Sequence, residues 1–291
     1  MTWARVATVA LVLALPSLAQ ASSARFVVSL PVADMHKAPS VDSAVVSQAI
    51  FASAVHVLER EGDWVKVRTL LDEYTGWVRA WSIAKDDSAA PYPSGKVATV
   101  SSLFANLYRE PNIENHRPVI TIPFESRIEI VGEKREPDVT YLEARLPDGT
   151  KAWVQSGDVA FGTERLTIDE TIALARRFIG LPYQWGGTTI RGYDCSGFTQ
   201  MLMRQRGFMI PRDSTPQSKW DGSAPVDRAE LQPGDLLYFG KPAEGKVNHT
   251  GMYIGDGEFI HATRAGRPSV QISRLDDPHW SDRFVAARRA Q

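Results

Sequence analysis

Between residues 26 and 84, apolar and polar positions alternate in short runs such as Ala54-Val55-His56-Val57 and Val65-Lys66-Val67. Gly62-Asp63 and Gly76 break the runs with turn chemistry. A period of two, interrupted this often, predicts a small half-buried β barrel. Residues 98–161 repeat the pattern. Met35-His36-Lys37-Ala38-Pro39 matches Leu107-Tyr108-Arg109-Glu110-Pro111, and the run from Phe51 to Leu58 matches that from Phe124 to Val131. Trp64-Val65-Lys66-Val67-Arg68 matches Tyr141-Leu142-Glu143-Ala144-Arg145, and Gly76-Trp77-Val78 matches Ala152-Trp153-Val154. Order is kept throughout, so two tandem copies of one barrel are expected, not a solenoid. Residues 85–97, rich in Asp, Ser, Ala and Pro, read as the linker between them.

The period changes in the third region, 165–287. Thr167 and Glu170 form a capping-box signature, and Ile168, Ile172, Ala175, Phe178 and Ile179 recur at helical spacing. Gly180 and Pro182 stop that helix, predicted over 168–179. A second helix begins at Asp194-Cys195, carries Phe198 and Leu202 on one face and stops at Gly207. Strands then follow. His249-Thr250-Gly251-Met252-Tyr253-Ile254 and Phe259-Ile260-His261-Ala262 flank Gly255-Asp256-Gly257, a hairpin signal.

Composition narrows the class. Hydrophobic residues make up 43% of 291, enough for packed cores. The balance of 33 basic against 34 acidic residues argues against a nucleic-acid binder. No internal run of about 20 apolar residues predicts a membrane span. At the start, Arg5, the apolar stretch Thr8–Leu15 and Ala19-Gln20-Ala21 follow the plan of a signal peptide over 1–21. No cysteine follows it for lipid attachment, so an exported protein without a membrane anchor is expected, periplasmic or extracellular. Cys195 is the one cysteine, which rules out an intrachain disulfide. It is therefore either an inert buried thiol or a reactive one.

Position decides between these. A cysteine in the first helical turn faces unpaired N–H groups and the positive end of the helix dipole, which should lower its pKa. Asp194 is the expected N-cap, although its charge opposes a thiolate. A thiol hydrolase also needs a base and a group that orients the base. Of six histidines, His249 and His261 suit this best. A three-residue loop Gly255-Asp256-Gly257 would place His249 opposite Thr263 and diagonal to His261, about 7–8 Å away along one face. A two-residue turn Asp256-Gly257 would slip the register by one and send the histidines to opposite faces. The catalytic reading therefore demands an odd loop. No cluster has zinc-ligand spacing, so no metal or other cofactor is expected.

Asp194-Cys195-Ser196-Gly197-Phe198, the His249 segment and the His261 segment together resemble the NlpC/P60 family, papain-like cysteine peptidases of the bacterial cell wall. The two N-terminal repeats resemble bacterial SH3-like (SH3b) domains, through Trp64-Val65-Lys66-Val67 and Gly76-Trp77-Val78. The expected fold is thus α+β and multidomain: two SH3b-like β barrels at 26–84 and 98–161, then a papain-like NlpC/P60 domain at 165–287. The resemblance implies that Cys195 is the nucleophile, His249 the general base and acid, His261 its orienting partner and Tyr183 an oxyanion donor. The combination with two SH3b copies is similar to γ-D-glutamyl-L-diamino acid endopeptidases, which trim murein peptides with a free N-terminal L-Ala. That likeness implies substrate contacts from Asp194, Ser196, Trp185 and Ser214, with Asp194 facing the ammonium group. Tyr74 and Asp34 are the candidates from the first repeat. Two further readings remain: a hydrolase of intact peptidoglycan anchored by its SH3b copies, and a non-catalytic wall-binding protein.

Overall fold

The computed structural model describes residues 25–87, 90–162 and 164–291. The expected signal peptide lies outside them. Both repeats fold into seven-stranded antiparallel sheets. Numbered within each copy, the strands stand in the same spatial order, third–second–sixth–fifth–fourth–first–seventh. The likeness extends to irregularities. Leu58 in one copy and Val131 in the other occupy equivalent β-bulges and are both exposed. Ala52 and Glu125, also equivalent, both adopt the left-handed conformation, at φ 66° and 68°.

Alternation buries one face of each sheet. Met35, Val65, Val67 and Val78 fill the first core, and Leu107, Ile122, Ile128 and Val154 the second. The linker is not slack: Tyr92 packs into the second core beside Phe51 of the first copy, and its hydroxyl donates to Arg145 O at 2.8 Å. The two repeats therefore share apolar packing.

In the third region, Thr167 and Glu170 close the expected capping box on the helix Ile168–Arg176. The helix ends three residues short of the predicted boundary. There the bonds from Arg177 N to Leu174 O and Phe178 N to Ala175 O tighten the last turn to i→i−3 spacing. Six antiparallel strands stand in the order Ser223–Val226, Phe284–Ala290, Leu236–Lys241, Lys246–Gly255, Glu258–Thr263, Ser269–Arg274. One side of this sheet packs on the helices through Tyr238, Met252, Ile260 and Phe198. A second cluster gathers Phe239, Phe259 and Trp280.

The repeats bracket the helix Cys195–Gln205. From the first copy, Ser47 accepts from Arg212, Gln48 Oε1 accepts from Thr188 N, and Asp72 accepts from Gln200 Nε2. From the second, Glu125 takes a bidentate bond from Arg204 at 2.8 and 2.6 Å, and Phe124 packs edge-on to Phe178. Consequently the helix is buried on every side from Cys195 to Met203.

Candidate active site

Cys195 is the first residue of its helix. Asp194 caps that helix as expected, with Oδ1 accepting from Gly197 N at 2.7 Å. The Cys195 helix packs on the histidine strand Lys246–Gly255, and the main-chain N–H groups of Thr250 and Ser196 act on the thiol to lower its pKa. Cys195 as a residue is buried, at 7% exposure. The anticipated lowering of its pKa is not found. Burial, and then the Asp194 charge, push Cys195 up to about 12, against the opposing pull of Thr250 N–H and Arg212.

His249 sits next to Thr250 in the chain, and its ring stacks on Trp280 at 4.9 Å between centroids. Its Nε2 lies 2.7 Å from His261 Nδ1, so the two imidazoles share one side of the hairpin. The register is the predicted one, reached by another route. Asp256-Gly257 does form a two-residue turn, at φ 51° and 74°, with Gly255 opposite Glu258. Ile254 then bulges out, so that Tyr253 faces Phe259 and Met252 faces Ile260. One extra residue in the strand restores the odd count that the turn removes. His261 is fully buried, and its Nε2 lies 3.0 Å from Ser273 Oγ. Burial holds both histidines below their ordinary range, His249 at about 3. Both shifts favour the neutral form, of the thiol and of the imidazole alike.

Asp194 does not face open space. Arg212, 2% exposed, donates to Asp194 Oδ2 at 2.7 Å and Oδ1 at 3.0 Å. Gly186 N, Gly197 N and Ser196 Oγ complete its shell. These donors exhaust the lone pairs of a carboxylate, so the expected contact with an ammonium is filled from within the chain. Ser196 joins the same network, since its oxygen accepts from Arg212 Nη1 at 3.0 Å.

Tyr183 stands close enough to Cys195 that burial first, and the sulfur's charge second, raise its phenol pKa. Trp185 is 63% exposed beside Gly186. At Gly186, φ is +74° and a Cβ would lie 2.6 Å from Val45 O of the first copy, so only glycine fits. Ser214 opens the short helix Ser214–Gln217. Tyr74 reaches across from the first copy and donates to Asp213 Oδ2 at 3.2 Å. Asp213 is exposed and makes no capping bond with its side chain. Asp34 is exposed and accepts from Gln48 Nε2 at 2.8 Å, a residue that itself holds Thr188. It therefore supports the contact between domains.

Reading the sequence missed Arg212, Asp213 and Trp280. Arg212-Asp213-Ser214 carries a charged pair just before a helix start, a signal that was visible. Trp280, in Asp-Pro-His-Trp, reads as a turn and gives no sign of its place under His249.

The NlpC/P60 family pattern matches residues 180–289, and that of the bacterial dipeptidyl-peptidase Sh3 domain matches residues 35–83. The chain is 36% identical to a gamma-D-glutamyl-L-lysine dipeptidyl-peptidase of Bacillus cereus, over 84% of this chain and 74% of that protein. It is 28% identical to the protein of the same name from Bacillus subtilis, over 85% and 82%. The crystal structure of an NlpC/P60 family protein from Bacillus cereus superposes with a TM-score of 0.81 at 29% identity, covering 91% of this chain and 99% of that one. Similarity at this level over most of both chains, joined to a helix-borne cysteine beside a histidine pair, shows that the chain belongs to the NlpC/P60 family of cysteine peptidases.

Proposed function

We propose that the chain hydrolyses the bond between γ-D-Glu and the L-diamino acid of cell-wall peptides whose N-terminal L-Ala is free. The observation that carries this reading is the junction at Cys195. The Cys195 helix packs on the strand that carries His249, His249 is bonded to His261, and the first repeat reaches the same place through Tyr74 and Ser47.

In the mechanism, Cys195 Sγ attacks the γ-carbonyl while His249 takes the thiol proton. Because both shifts favour the neutral pair, proton transfer accompanies attack. The oxyanion meets the Cys195 N–H, which as a first-turn amide has no carbonyl partner within the helix. Tyr183 adds its hydroxyl, kept protonated by its raised pKa. His249 then returns the proton to the departing amine, leaving a thioester that water cleaves with His249 as base. His261 holds the His249 ring.

Recognition of the free amine falls to Asp213 with Tyr74 instead of Asp194, since the Asp213 carboxylate keeps acceptor capacity and exposure. Asp194 and Arg212 brace Ser196 beneath it, while Trp185 and Ser214 line the approach. Residues 1–21 direct export, which places the activity outside the cytoplasm.

The test offers purified protein L-Ala-γ-D-Glu-diaminopimelate, its lysine counterpart, the N-acetylated forms and whole sacculi. Cleavage confined to the free-amine peptides is expected. Equal cleavage of acetylated peptides or sacculi would overturn the amine gate, and no cleavage at all would overturn the enzymatic reading.

A further inference from the structure

The histidine pair does not end at His261. In the ladder between Glu258–Thr263 and Ser269–Arg274, His261 faces Gln271, so Ser273 is its diagonal neighbour on the same face. Its Oγ lies 3.0 Å from His261 Nε2, and among the described residues it has no other hydrogen-bond partner. Ser273 also lines an open cavity of about 410 Å³ with Glu258, Arg274, Asp276 and Asp277.

Counting hydrogens along this row gives two arrangements. A neutral imidazole carries one N–H. For His249 to take the thiol proton on Nδ1, its own hydrogen must sit on Nε2, pointing at His261 Nδ1. That nitrogen must then be bare, so the His261 hydrogen sits on Nε2 and points at Ser273 Oγ. In the reverse arrangement, Ser273 donates, His261 carries its hydrogen on Nδ1, and His249 is left protonated on Nδ1 and unable to act as a base. The surroundings of Ser273 separate the two. Because Ser273 borders this open cavity, its hydroxyl hydrogen can turn to solvent there, which leaves an oxygen lone pair for His261. Arg264, Arg283 and His279 face His249 from other segments and disfavour its charged form, but supply no bond to this row.

We propose that Ser273 is a positioning residue of this hydrolase: by accepting the His261 Nε2 hydrogen it holds both imidazoles in the one tautomeric arrangement in which His249 Nδ1 is the base. This rests on the function proposed above.

The experiment combines ¹⁵N NMR of the histidine rings with kinetics. In the native protein at neutral pH, His261 is expected with a protonated Nε2 and a bare Nδ1. Ser273→Ala should mix the tautomers and lower kcat by about ten- to a hundredfold, a part of what a placed base contributes, with KM little changed. Ser273→Thr, which keeps the hydroxyl, should recover both. A native His261 protonated on Nδ1 would overturn the proposal. So would a Ser273→Ala protein with unaltered ring signals and kcat, or a loss that threonine fails to recover. The ring signals do not depend on turnover, so failure of the hydrolase reading would show separately, as no turnover by the native protein or as turnover persisting in Cys195→Ala.

Discussion

Replacing Arg212 with methionine removes the cation that joins three parts of the protein. Arg212 bonds Ser47 of the first repeat through Nε, Asp194 through both Nη groups and Ser196 through Nη1, all with buried partners. Arg212→Met leaves the Asp194 carboxylate buried without a countercharge, a change that costs about 3–5 kcal/mol. For a protein of this size the melting temperature should fall by roughly 6–20 °C. The double variant Arg212→Met/Asp194→Asn removes the stranded charge and should recover a large part of that loss. Ser47→Ala, which deletes a single bond to a charged donor, should cost about 1.5–3 kcal/mol. The Cys195 thiol should also become harder to ionise, because Arg212 lowers its pKa and Asp194 raises it. Scanning calorimetry and the rate of iodoacetamide alkylation read the two effects. An Arg212→Met protein that melts within 2 °C of the native one would refute the reasoning, and so would a double variant no more stable than the single.

Other consequences are as direct. The lowered His249 pKa keeps the base neutral in acid, so the acid limb of kcat/KM should lie below the ordinary histidine value of 6.5; a limb at or above it would contradict the burial argument. The same shift links pH to stability. Both histidines bind protons in the unfolded chain before the folded one, so their contribution is complete above pH 6.5 and is lost as pH falls toward the lowered folded values, about 3 for His249. Denaturation followed from pH 7 downward should therefore show weakening that His261→Gln reduces. Tyr74→Phe removes a hydrogen bond to a charged group at the amine site, so KM for the free-amine tripeptide should rise about tenfold or more while alkylation of Cys195 is unchanged. Glu125→Leu strands Arg204 and should lower stability by about 3 kcal/mol, with activity retained at permissive temperature.

The duplicated barrels were legible because alternation and turn residues are local signals that recur in order. The thiol helix was legible for the same reason: a cap, an apolar face and a glycine stop lie within one short stretch. The histidine hairpin shows where local reading stops. The turn residues Asp256-Gly257 indicate a two-residue turn, yet the bulge at Ile254 that rescues the register lies in the strand, outside the turn that those residues specify. Asp194 shows a second limit. Its charge is evident in the sequence, but the partner that satisfies it, Arg212, is 18 residues away and is held in turn by Ser47, 165 residues away. The raised thiol pKa has the same origin. A helix N-terminus favours a thiolate, whereas burial opposes it, and burial is a property of the assembled molecule.

Mass spectrometry of the acid-quenched reaction tests the central claim most directly. With L-Ala-γ-D-Glu-diaminopimelate as substrate, the account predicts an L-Ala-γ-D-Glu acyl group on the peptide containing Cys195, and neither adduct nor turnover in Cys195→Ala. An adduct on another residue, or continued hydrolysis by Cys195→Ala, would contradict it.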